Sequence, residues 1–257
     1  STITFDALSG TSTITSGGAS FYNLTFNDGG GTAVFEMQDA LTASGSLAIS
    51  GGTLDAKAGG NHGITVAGNW TNNDTFLARS GTVTFSSTTT SQVLGPTNFY
   101  NLTIGTAGKE MLFSTSSEDI IGVTNLFTAA GSSGNLIKLY SMSSSTQWHF
   151  LPTGSRAVSY VDVRDAACES GTISMVAVNS TNSGSNGSCW SFVSTDPAVI
   201  RAETASDGSG AVAALQNLIA GNSITVYAIT RDGAGNFLQN AAADAWTLEN
   251  KTGGVVN

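Results

Sequence analysis

The chain has 257 residues, a mass of 26.1 kDa and a formal net charge of −9, with 9 Lys plus Arg against 18 Asp plus Glu. That balance excludes a nucleic-acid binder, which needs a basic stripe to displace counterions from phosphate, and no apolar run reaches the roughly 18–20 residues of a membrane-spanning helix. Charged residues are 11% and hydrophobic ones 40%, with 31 Gly and only 3 Pro, which reads as short strands and turns around a core rather than as disorder or helices.

The chain opens at Ser1 without an initiator Met or a charged-then-apolar leader, the mark of a mature product or of an excerpt. Thr2-Ile3-Thr4-Phe5 is followed by Phe21-Tyr22-Asn23-Leu24-Thr25-Phe26, in which Tyr22, Leu24 and Phe26 fall on one face at period two. Both segments recur, as Thr82-Val83-Thr84-Phe85 and as Phe99-Tyr100-Asn101-Leu102-Thr103-Ile104, 80 and 78 positions later. Further strand-like runs follow at Ala33–Phe35, Ser46–Ile49, Gly63–Val66, Thr75–Leu77, Leu136–Tyr140, Val158–Val163 and Thr172–Val176, with Gly-rich turns between them. Linkers vary and strands come in uneven groups, which fits a right-handed parallel β-helix better than a sandwich of hairpins. Coils of roughly 20–27 residues make the repeat three or four coils and residues 1–194 about eight, a rod about 40 Å long at the usual strand spacing. Outward Asn side chains then hydrogen-bond from coil to coil.

Cys168 and Cys189, the only two cysteines, lie 21 positions apart in a Ser/Asn/Gly-rich stretch. They read either as a disulfide, with the secreted character of the composition behind it, or as two free thiols.

Gly68-Asn69-Trp70-Thr71-Asn72, then Gly81–Phe85 and Phe99–Ile104, resembles the repeats of secreted bacterial β-helix surface proteins of the adhesin-like, filamentous group. Tyr160–Asp165 and Trp190-Ser191-Phe192 are similar to the closing coils of such helices. Beyond Ser194-Thr195-Asp196-Pro197, the run Ser223–Arg231, the turn Asp232-Gly233-Ala234-Gly235-Asn236 and Trp246 resemble the first half of a bacterial immunoglobulin-like domain of the invasin or intimin type. The resemblance implies that Ile224, Val226 and Ala228 point inward and that Trp246 fills the space between sheets. Residues 195–257 fall short of the roughly 100 that such a sandwich needs; either the chain is a fragment or another subunit adds the missing strands.

Chemistry is sparse. Asp162 and Arg164 share a strand face, with Asp165 just beyond; this is the best carboxylate cluster for glycan or ion contact, and a surface ion pair is its plain alternative. His62 and His149 lack metal-ligand spacing, and the Asp207 and Asp232 turns read as turns rather than calcium loops. Trp70 and Trp148 are core or coil-cap residues unless exposed to stack on sugars.

The expectation is an all-β chain, a right-handed parallel β-helix over 1–194 followed by a partial immunoglobulin-like β-sandwich over 195–257. The expected role is a structural, extracellular surface protein assembling through Thr2, Ile3, Thr4 and Phe5 at one end and Ile224, Val226 and Trp246 at the other. Its expected partners are copies of itself or further domains of a longer chain, and surface glycans, with no cofactor or metal and no catalytic residue. The competing class is a carbohydrate-active or glycan-binding domain.

Overall fold

The computed structural model describes residues 1–214, 222–233 and 235–242. The described residues contain strands and turns and no helix, and they divide into two compact units, Ser1–Val193 and Ser194–Asn257.

The first unit is a parallel β-solenoid. Its first sheet has nine strands: Thr2–Asp6, Asn23–Asn27, Leu47–Ile49, Trp70–Asn72, Ser91–Leu94, Glu110–Phe113, Ile137–Ser141, Val161–Arg164 and Thr181–Asn182. Successive partners along it, from Thr2 opposite Asn23 to Asp162 opposite Thr181, define about eight coils. The second sheet stacks Thr11–Ile14, Val34–Met37, Thr53–Asp55 and Thr75–Leu77. The third has eleven strands, beginning with Ser20–Phe21 and ending with Trp190–Val193. In the fifth and sixth coils a single strand runs through the corner that earlier coils turn with a loop. Thr97–Ile104 and Ile121–Ala130 pair along both halves, with a register shift between Phe99 and Asn101.

Period-two alternation puts every second residue inside. Ala43, Val66, Phe85, Ile104, Ala129 and Val158 form one continuous inward column on the third sheet, all buried. Leu24, Leu47, Trp70, Val93 and Phe113 form another on the first. Each buried large side chain contributes roughly 1.5–3 kcal/mol relative to exposure, and small residues facing large ones let neighbouring columns interlock. Trp70 and Trp148 are both fully buried, so neither is a sugar platform.

Polar side chains bind the coils on the outside. Asn23 Oδ1 accepts from Ser46 N–H at 2.8 Å, Ser46 Oγ from Asn69 N–H at 3.0 Å and Asn69 Oδ1 from Gln92 N–H at 2.9 Å. Each satisfies a corner donor that the ladder leaves unpaired. At that corner the chains approach closely: a Cβ on Gly45 would lie 2.3 Å from Asn23 Oδ1, and one on Gly68 would lie 2.8 Å from the Gly45 backbone. Cys168 and Cys189 are joined in a disulfide, Cα to Cα 5.8 Å, one coil apart.

Three expectations need correction. The internal repeat does not span whole coils. Thr2–Phe5 stacks on Asn23–Phe26 in the first sheet, whereas Thr82–Phe85 stacks on Asn101–Ile104 in the third. What repeats is a pair of stacked strands in one register, with the Asn side-chain amide donating to the Thr hydroxyl in both copies, at 3.4 and 3.1 Å. Tyr22 does not share the inward face of Leu24 and Phe26; it sits 59% exposed at the corner before the strand.

The third correction lies in the second unit, a three-stranded antiparallel sheet of Val199–Glu203, Tyr227–Arg231 and Phe237–Ala241 with Tyr227–Arg231 central. Its central strand starts at Tyr227, so Ile224 lies before it and is exposed, Val226 is half-buried, and Ala228 and Ile229 carry the buried surface. Trp246 lies outside the described residues. Arg231 fixes the sheet: it pairs through two nitrogens with the buried Glu203 carboxylate, both at 2.6 Å, and donates to the carbonyls of Gly208 and Gly235. The guanidinium holds the Glu203 carboxyl below its usual range.

Candidate functional site

Four places carry chemistry or unsatisfied surface. The first is the opening coil. Thr2–Asp6, Thr11–Ile14 and Ser20–Phe21 are the terminal strands of their sheets. Asn23 N–H donates to Ser1 C=O and Ala7 N–H to Asn27 C=O, each at 3.2 Å. Backbone groups alternate along a parallel strand, so the odd residues face Asn23–Asn27, and the N–H and C=O of Thr2, Thr4 and Asp6 aim at the open side. Ile3 is 44% exposed although it stacks in register on buried Leu24, and Leu8 is 71% exposed. Phe5 and Phe21 are half-buried, edge to face at 6.3 Å. Thr2, Ile3, Thr4 and Phe5 lie on the first strand of the first sheet.

The second place is the expected cluster. Asp162 and Arg164 point outward from Val161–Arg164 on the first sheet. Tyr140, one coil earlier, donates its hydroxyl to Asp162 Oδ2, and the Arg164 guanidinium lies 4.1 Å from the Tyr140 ring centre. Burial and the neighbouring carboxylate push the Tyr140 hydroxyl up to about 12. Asp165 does not join this face. It occupies the corner at φ 57°, is 2% exposed, accepts from Ser145 N–H at 3.1 Å and pairs with Arg164 Nε at 3.5 Å. The two carboxylates are thus held in different surroundings, not across one cleft. Asp162 Oδ1 is buried without a hydrogen-bond partner.

Sequence reasoning missed the third and fourth. On the second sheet Glu36 faces Asp55 in register. Arg79 grips Asp55 through two nitrogens at 2.8 and 2.6 Å, and Gln38 donates to Glu36 at 2.7 Å while its amide oxygen accepts from Lys57. The Arg79 hydrogen bonds hold the Asp55 carboxyl below its usual range. Near the disulfide, His149 Nδ1 and Glu169 Oε1 are 2.6 Å apart on neighbouring coils. Their signal is spacing: 19, 24 and 20 residues separate Glu36 from Asp55, Asp55 from Arg79, and His149 from Glu169. Those are coil lengths, so partners far apart in sequence lie one coil apart.

One buried cation completes the inventory. Lys109 is fully buried, and its ammonium donates to Ser87 C=O, Thr89 C=O and Ser91 Oγ, all at 2.9 Å. Burial lowers it to about 8. All three donors are used, so it staples a corner loop and offers nothing to a ligand. The two Asp turns are also internally closed: Ser209 bonds to Asp207, and Asn236 bonds to Asp232 through backbone and side chain. No group of three or more His, Cys, Asp or Glu suited to a metal ion occurs among the described residues.

Comparison with protein-family models, with curated proteins and with solved structures finds no match for this chain.

Proposed function

We propose that this chain is a structural rod segment of an extracellular bacterial surface assembly, such as a filament, sheath or adhesin stalk, and not an enzyme. The single observation that carries the reading is the solenoid itself: about eight coils stacked on continuous buried apolar columns, an architecture that extends along one axis. The disulfide supports an oxidising compartment, and among the described residues no helix is long and apolar enough to cross a membrane. The charged groups support it too, since Glu36, Asp55, Lys57 and Arg79 satisfy one another. In the second unit, the antiparallel sheet is consistent with an immunoglobulin-like module. On its outer strand Val199–Glu203, Ile200 is 67% exposed, while a bridge from Glu203 to Val212 covers the other half of that edge.

Immunogold labelling of the source cells with antibody to the purified chain tests the reading. Labelled surface structures support it; label confined to the cytoplasm overturns it. A second reading, a glycan-contact face, rests on the outward side chains of Asp162 and Arg164 beside the Tyr140 ring. Binding or depolymerisation of acidic polysaccharide that disappears in Asp162→Ala would favour it.

A further inference from the structure

Thr42, Thr65, Thr84, Thr103 and Thr128 stand opposite one another on the third sheet, coil after coil and in register. Each is partly exposed between two buried neighbours, as Thr84 is between Val83 and Phe85, so all five side chains point outward in one column. None of the five hydroxyls hydrogen-bonds within the chain, whereas the Thr82 hydroxyl accepts from Asn101. The residues two positions to either side of them are Ala, Gly, Ser, Thr, Asn and Leu, with no charge and no aromatic ring. Charged side chains lie on the other faces, Glu36 and Asp55 on the second sheet and Glu110, Lys138, Asp162 and Arg164 on the first. The outward column of the first sheet runs Thr4, Thr25, Ala48, Thr71 and Leu94, so it is interrupted where the third sheet's column is not.

The five hydroxyls form a fixed grid. Thr is stiff at χ1 and every strand in the column is paired on both sides, so little freedom remains to be lost on binding. Side chains repeat at the strand spacing, about 4.7–4.9 Å along the solenoid axis, and positions two residues apart on one strand lie about 6.6 Å apart. Both spacings are close to the oxygen repeats on a prism face of hexagonal ice. In the fourth coil Thr82, Thr84 and Ser86 carry hydroxyls across the whole row. An ionic ligand finds no counter-charge on this face, and a sugar ring finds no aromatic ring to stack on. A protein partner would bury five hydroxyls that each need a new bond. Water satisfies them without that cost. A water lattice of the same period bonds to all of them at once, and liquid water, which has no period, gains nothing from their register.

We propose that this column makes the outer face of the third sheet an ice-binding surface, with crystalline water as its ligand. The proposal concerns a single solenoid, so it stands or falls separately from the assembly reading.

Ice growth in a solution of the 257-residue chain tests it. The wild-type chain should hold a seed crystal without growth below its melting point and shape it into facets, and the fluorescently labelled chain should coat an ice surface. Thr65→Lys and Thr84→Lys each put a long charged side chain into the column. Each should abolish the gap between melting and freezing while the β-rich circular dichroism spectrum stays unchanged. Thr71→Lys, the same change on the outer face of the first sheet, should keep the wild-type gap. A wild-type chain that gives no gap and is excluded from growing ice overturns the proposal, and that measurement needs no variant. A gap that survives both Thr65→Lys and Thr84→Lys overturns it, as does a gap lost equally in Thr71→Lys.

Discussion

Thr2–Phe5 and Thr82–Phe85 are nearly the same strand in two settings. Both stack in the same register on an Asn-Leu-Thr-apolar strand, and both make the same Asn-to-Thr side-chain bond. Yet Ile3 is 44% exposed where Val83 is 2%, and Phe5 is half-buried where Phe85 is fully buried. The difference is the coil below: Thr82–Phe85 rests on Ile64–Val66, and Thr2–Asp6 ends its sheet. Local sequence sets pairing and inward parity. Burial, and with it energy, comes from neighbours in the stack, as in other repeat architectures.

The sharpest way to break that comparison is to truncate the equivalent rings. Phe85→Ala should cost about 3–5 kcal/mol by urea unfolding, as for other buried aromatic truncations, and Phe5→Ala less than half as much. Equal costs would mean the first coil is covered in the isolated chain. Next in size is the opposite end. Reducing Cys168–Cys189, or replacing both by Ser, should cost about 3 kcal/mol in the chain-entropy account for a loop of this length, read from the same transitions, with little effect on amide exchange in the first coil.

Lys109 sharpens the interior side. Its folded value, about 8, lies below that of a free lysine, so between about pH 8 and 10 the unfolded chain holds more protons and stability should rise with pH. Lys109→Met should remove that slope; a slope unchanged in the variant would show that the staple does not titrate there. The smallest expected effect is Asn101→Ala, about 1 kcal/mol, for the bonds to Thr82 and Asn125 at 3.1 and 2.7 Å.

Alternation at Leu24 and Phe26, and at Val83 and Phe85, was enough to read strands, inward parity and a coiled stack. Sequence does not say which sheet a strand joins, because all three faces use the same alternation; hence the repeat looked like whole coils when it steps from the first sheet to the third. Corners also escaped it. Tyr22 looked like a strand residue, and Asp165, one position beyond Arg164, leaves the strand face through a left-handed backbone. In the second unit the strand was recognisable but began later than its apolar run, leaving Ile224 outside. The ionic group around Asp55 was hidden because its members are brought together by coil length, a period visible only once the solenoid is known.

The sulfur bridge also governs how the solenoid bears load. Tension entering through Ser194 reaches Cys189 within a few residues and passes across the bond straight to Cys168, bypassing the Ser/Asn/Gly-rich segment between them. That segment, which includes the buried strand Met175–Val178, is shielded from extension, and a pull at Ser194 peels only Trp190–Val193 before it meets the bridge.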